Sequence, residues 1–321
     1  MNIARFLALV LVLVFNNETG AQEFPSKPIT AIIPFSSGSA SDVIARLVLT
    51  RMETPLGQRF IVTNIPAAGG VTGTLTAAKT AADGYTIVMA AAGPTVVNKI
   101  LNPKLGYDPE KDFDPISLYA SMPNVVVVST KLPINTLMEL ADYARKNPKM
   151  PYGSVGNGSS QHLAGALFEQ MTGAQMQHVP YRITSQMQTD MMAGTVPVSF
   201  QLLPNVLGNI KGGHLRALAV ASRQRLPAIP DVPTSAEAGL KGFESAAWFG
   251  FLAPRGTPKA AIDRLNREIA AAVADPAVRT RFTDFGAEPI ASTPDEFGRF
   301  ISAEVVKWRE IIAKGGITLE N

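Results

Sequence analysis

Cysteine is absent from the 321 residues of this chain. That excludes disulfides, thiolate zinc sites, iron–sulfur clusters, cysteine nucleophiles and lipid attachment through Cys. Histidine is scarce: His162, His178 and His214 are the only three, and none are paired at ligand spacing. No metal centre and no cofactor is expected. Charge is sparse too. With 17% charged and 46% hydrophobic residues, the chain is neither disordered nor supercharged. The formal net charge is +3, and Lys and Arg are scattered, the densest groupings being Arg223 with Arg225 and Lys307 with Arg309. A nucleic-acid partner needs a basic stripe or tail, so none is expected. The mild positive field favours small anions.

Long apolar runs are also lacking, with one exception. Phe6 to Phe15 (FLALVLVLVF) follows Arg5 and precedes the small residues Thr19-Gly20-Ala21. The run is roughly half the ~20 residues that a bilayer span requires. It reads as a secretory signal over residues 1–21, cleaved near Ala21. The mature chain is then expected to be exported, most naturally to a bacterial periplasm, where a Cys-free sequence is at ease.

The length exceeds what one hydrophobic core usually serves, so two lobes are expected. Strands and helices alternate from the start. Ile29 to Pro34 reads as a buried strand, Asp42 to Met52 as a helix, and Phe60 to Asn64 as a second strand. After the turn Ala67-Ala-Gly-Gly70 come a helix over Val71 to Ala81 and a strand over Thr86 to Ala91. The middle repeats the style. It has strands at Val125–Ser129, Tyr152–Ser154, Gln177–Pro180, Val198–Leu202 and Leu215–Ala221, with helices at Thr136–Arg145, Ser160–Met171 and Met187–Ala193. Three prolines make Leu226 to Pro233 an extended loop. Amphipathic helices close the chain at Pro258–Val273 and Pro294–Lys314. The pattern is an α/β fold with mainly parallel strands in βαβ units. Ile116 to Thr130 and Ser245 to Ala253 read as two strands crossing between lobes. They divide the chain into a first lobe, 26–120 plus 245–321, and a second, 121–244.

Candidate chemistry lies in loops that join strand ends to helix starts, where open α/β sheets bind ligands. The first loop is Phe35-Ser36-Ser37-Gly38-Ser39-Ala40-Ser41-Asp42, with Ser39 and Asp42 spaced as a capping box. The second, Ser154-Val155-Gly156-Asn157-Gly158-Ser159-Ser160, runs into the helix carrying His162. Each reads either as a helix cap or as an anion site built on free amides and the helix dipole. Neither matches a P-loop, GxGxxG or GxSxG motif. A third loop, Tyr181 to Ser185, brings Arg182 as the one cation placed near the cleft, able to grip a carboxylate, and Thr184. Asp190 stands early in the next helix, as ligand contact or solvated face. Gly93, just past the third strand, completes the expected ligand-binding set. His178 reads as structural, His214 as solvated, and Trp248 as core or as a platform beneath a ligand.

At these residues the sequence resembles the periplasmic solute receptors of tripartite tricarboxylate transporters, the TctC-like or Bug family. The matching stretches include PFSSGSASDVIAR (34–46), AAGGVTGT (67–74), YGSVGNGSSQHLAG (152–165), HVPYR (178–182), GHLRALAVASRQR (213–225) and WFGFLAPRGTP (248–258). The resemblance implies a two-lobed type II periplasmic-binding-protein fold that closes over a small carboxylate. It also implies that backbone amides, hydroxyls and waters of loops 35–42 and 154–160 hold the carboxylate. Two departures stand out. Ser39 replaces a usual second Gly, and Arg182 to Met187 (RITSQM) replaces a pattern nearer Lys-Gly-Ser/Thr-Ala-Pro-Ala.

The expectation is therefore a monomeric, non-enzymatic receptor that delivers a small carboxylate to a membrane permease. Two alternatives stay open. One is a secreted hydrolase using Ser159 or Ser154 with His162; the other is a ligand-sensing partner of a signalling kinase.

Overall fold

The computed structural model describes residues 24–315; the signal segment expected over 1–21 lies outside the described residues. One ten-stranded mixed sheet, flanked by helices, runs through the molecule. Its first half holds β1 (Ile29–Ile33), β2 (Phe60–Asn64) and β3 (Thr86–Ala90), joined by α1 (Ala40–Leu56) and α2 (Val71–Ala78). These three strands are parallel, with β1 between the other two. Short helices α3 (Asn98–Leu101) and α4 (Pro109–Asp112) lead into β4 (Phe113–Ser129), a strand of 17 residues.

The second half is built the same way. After α5 (Leu137–Lys146) come β5 (Met150–Ser154), α6 (Ser160–Thr172), β6 (Met176–Pro180), α7 (Thr184–Ala193), β7 (Val198–Leu202), α8 (Leu203–Lys211) and β8 (Leu215–Val220). Here β5 lies between β6 and β7, again all parallel. The chain returns through β9 (Ala246–Pro254), α9 (Lys259–Ala274), α10 (Pro276–Asp284), the two-residue β10 (Glu288–Pro289) and α11 (Pro294–Gly315).

Strand β4 joins the halves. Its residues 113–123 pair antiparallel with β9, and from Asn124 it pairs with β7 and β8 instead. The returning chain crosses at Ser245, whose N–H donates to Ala221 O and whose carbonyl accepts from Asn124 N. Parallel ladders are thus confined to three strands in each half. The crossing strands run the other way, which makes the remaining pairings antiparallel.

Alternation along β4 explains why both faces are covered. Val126 and Val128 pack with Tyr152, Phe200 and α5 and α6 residues, whereas Val125 and Val127 pack with Met187, Met191 and Val206 of α7 and α8. All four valines are fully buried, and each contributes roughly 1.5–3 kcal/mol of apolar burial. In the first half, Ile29, Ala31 and Ile33 face α1 and α9, and Ile32 with Val88 faces the opposite layer.

Several elements differ from the sequence expectation. Helix α1 begins at Ala40 and extends to Leu56 because Ser39 caps its start and Gly57, at φ 63°, ends it. Helix α7 begins three residues early, at Thr184, without a side-chain cap. The short helices α3 and α4 and the longer α8 and α10 lie outside the sequence expectation: α8 follows β7 directly from Leu202 with no polar cap to announce it. No helix among the described residues is long and apolar enough to cross a membrane.

Candidate functional site

Loops after β1 and β5 occupy equivalent positions in the two halves, and both use one capping device. In the first, Ser39 Oγ accepts from Asp42 N at 3.4 Å while Asp42 Oδ2 accepts from Gly38 N at 2.9 Å. In the second, Ser159 Oγ accepts from His162 N at 3.3 Å while His162 Nδ1 accepts from Gly158 N at 3.1 Å. Each is a capping box displaced by one residue, since the third helical side chain reaches the amide before the cap rather than that of the cap itself. Asp42 is buried but not isolated: Arg46 Nε and Asn64 Nδ2 each donate to its Oδ1 at 2.9 Å.

Between these loops lies a cavity of about 230 Å³. Phe35, Ser36, Ser39 and Ser41 line it from the first half, and Asn157, Arg182 and Thr184 from the second. The structure therefore brings seven of the expected residues together. Arg182 is the only charged side chain on the wall among the described residues. Asn157 Oδ1 is shielded from solvent and has no hydrogen-bond partner.

Other expected residues stand behind the wall. Ser154 is fully buried, with Oγ 2.5 Å from His178 Nε2, and Gly156 N donates to the same Oγ. Ser159 and His162 are spent on the cap just described. Gly158 packs against Asn98 and Gly93. Asp190 accepts from the Tyr181 hydroxyl at 2.6 Å. The Ala40 side chain is buried, and its backbone N–H donates to Asn205 Oδ1 at 2.7 Å. Trp248 is core, edge-on to Phe297 and Phe300, with its indole N–H on Glu304. His214 is exposed.

The histidine pairing differs from the expected one. Ser154 meets His178, not His162, whose ring instead stacks on His178. Burial pushes the His162 imidazole down to about 4; burial, reinforced by the neighbouring His162, pushes His178 down to about 3. His178 Nδ1 is buried without a hydrogen-bond partner. A nucleophilic triad needs an exposed hydroxyl and a third group that orients the base. Ser154 has neither. Among the described residues no cluster of His, Asp or Glu could hold a metal.

Sequence reasoning missed Asn205 and Gln161, and also the contribution of the 66–70 turn to the wall. The turn was visible as Ala67-Ala-Gly-Gly70, but nothing local shows that it faces the second half. Gly69, at φ 63°, sits so close to the Asn157 carbonyl that any Cβ there would overlap it. The two halves also share a hydroxyl pair, Ser36 Oγ and Thr184 Oγ1 at 3.0 Å.

The chain has clear relatives. A family model described as tripartite tricarboxylate transporter family receptor (TctC) matches residues 44–317. Protein BugT of Bordetella pertussis is 35% identical over 326 residues, covering 100% of both chains. The solved structure of R. palustris Rpa4515 with adipate is similar at 34% identity and a TM-score of 0.88, over 92% of this chain and 99% of that one. MatC from Rhodopseudomonas palustris with bound malate is similar at 32% identity and a TM-score of 0.83, over 90% of this chain and 100% of that one. With loops of two like-built lobes facing one cavity, and with these relatives, the chain belongs to the TctC family of solute-binding receptors.

Proposed function

We propose that this receptor captures a small carboxylate between its lobes in the periplasm and presents it to a tripartite transporter permease. One observation carries the reading: among the described residues, the cavity between the two helix starts has Arg182 as its only charge, and hydroxyls and side-chain amides make up the rest of its polar wall. A helix start holds N–H groups with no intrahelical partner and a positive dipole end. In α1 the Ala40 and Asp42 amides are already engaged, which leaves Ser41, on the cavity wall, as the donor for a carboxylate oxygen. The volume suits a cargo of a few carbons, in keeping with the adipate and malate seen in two relatives.

Charge-assisted hydrogen bonds contribute roughly 1.5–3 kcal/mol each. Two or three, less the ordering cost, support micromolar or tighter capture. Closure follows because only the closed form touches cargo with both lobes. The hydrolytic alternative gains no support from Ser154, which is sealed from the cavity.

The test is a thermal-shift panel of mono-, di- and tricarboxylates and amino acids on the mature protein, followed by calorimetry on the hits. A raised melting temperature with unchanged ligand supports the receptor. No shift with any carboxylate, or chemical turnover of one, overturns it.

A further inference from the structure

Ala40 begins helix α1, yet its N–H bonds no group of its own lobe. It donates at 2.7 Å to Oδ1 of Asn205, which lies 165 positions away on α8 of the second lobe. Asn205 is itself nearly buried. Its Nδ2 donates to Gln201 Oε1 at 2.8 Å, Gln201 Nε2 donates to Ser199 Oγ at 2.8 Å, and Ser199 Oγ donates to the Gly153 carbonyl at 2.5 Å. The Asn205 carbonyl oxygen in turn accepts from Gln188 Nε2. Gln201 and Ser199 have no exposure at all.

The relay has one consistent direction. A backbone N–H can only donate, so Asn205 must offer its oxygen and turn its nitrogen to Gln201. That fixes the Gln201 amide, which fixes the Ser199 hydroxyl. Reversing any member leaves a buried donor facing a donor, the costly arrangement in an interior of low dielectric. Four hydrogen bonds inside the second lobe therefore aim a single acceptor at the start of a helix in the first.

We propose that Asn205 is a cross-cleft cap: it seats on the Ala40 amide when the lobes close and so sets how much of the empty receptor is closed. It positions α1 for cargo and takes one helix-start donor for itself, leaving Ser41 to the carboxylate. The weight of the closed form sets apparent affinity, because only the competent fraction binds.

This rests on the reading that the lobes part to admit cargo, and the test separates the two. The absence of native cysteine allows nitroxides to be placed uniquely on exposed Thr76→Cys of α2 and Gln170→Cys of α6. Electron–electron double resonance then reads the interlobe distance without any cargo. Asn205→Ala removes the acceptor. Ala40→Pro removes the donor at the first helical position, where proline is tolerated, and sets a ring carbon where the N–H met Asn205 Oδ1, so it counts against the cap if it stays closed but does not support it without Asn205→Ala. Both should lower the closed-to-open ratio about tenfold. Wild-type distances in Asn205→Ala or Ala40→Pro overturn the cap. Gly69→Ala, whose new methyl meets the Asn157 carbonyl, is the control that forces the lobes apart. If it too keeps the short distance, the lobes do not move and the clamshell reading fails instead.

Discussion

The imidazole of His162 stacks on that of His178, with ring centroids 4.1 Å apart and planes 25° from parallel. One ring braces the Gly158 amide and the other meets Ser154 Oγ. Two histidines thus support the second-lobe loop from behind while both are neutral.

That arrangement sets a pH dependence. Both imidazoles are held below their ordinary value, to about 4 and about 3. Above about pH 6.5 folded and unfolded chains are alike neutral at these sites. As pH falls below that value the unfolded chain takes protons that the folded chain refuses, so stability declines until pH reaches the folded values. The expected loss at pH 5 is on the order of 2 kcal/mol for each histidine. Urea denaturation at pH 7.5 and pH 5 checks it, and a loss that His178→Phe leaves undiminished would rule this pair out as the cause.

Ser36 and Thr184 meet across the cleft through their hydroxyls. Ser36→Ala and Thr184→Val should each weaken cargo binding about fivefold, near 1 kcal/mol. Because the two share one bond, the double variant should lose little more than either single. A double-mutant cycle by calorimetry measures this, and strict additivity would deny the coupling.

Gly69 needs both its positive φ and its missing side chain. Gly69→Ala should cost about 1 kcal/mol of stability through the left-handed backbone. Its main effect should be on closure, with affinity falling a hundredfold or more. Small-angle scattering with saturating cargo should show no compaction.

Among the described residues, Arg182 carries the only formal charge on the cavity wall. Arg182→Gln should weaken binding of a carboxylate about tenfold and flatten its dependence on salt. Equal affinity at low and high ionic strength in both proteins would exclude the guanidinium from binding.

Ser159→Ala should behave differently from a contact residue. Ser159 caps α6 and does not line the cavity. The expected result is about 1 kcal/mol lost from stability, with cargo affinity changed only modestly.

Much of this was legible in sequence, because strand–loop–helix units are local. The start of α6 after Ser159 and the strand at Phe60–Asn64 follow from neighbours in the chain. Phe35, Ser36, Ser39 and Ser41 reach the cavity wall for the same reason: their loop ends a buried strand and caps a helix. Asn157, Arg182 and Thr184 reach it in the same way from the second lobe. Ser154 and His162 stand behind the wall, because loop membership does not say which way a side chain turns. Asn205 was missed with its helix, since Leu202-Leu203-Pro204 continues an apolar strand without a polar cap.

The alternation of strands and helices was written in the sequence, since hydrophobic periodicity and capping residues act within one or two turns of chain, whereas the receptor reading came from motifs that resemble a family. The folded molecule settles which loop groups face the cavity, that His178 rather than His162 meets Ser154, and that the Asn205 side chain accepts from the first amide of a helix in the other half. Those are contacts between segments as many as 165 residues apart. Their existence depends on how the two halves of the sheet, joined by β4, turn toward each other, a geometry that no local pattern of residues encodes.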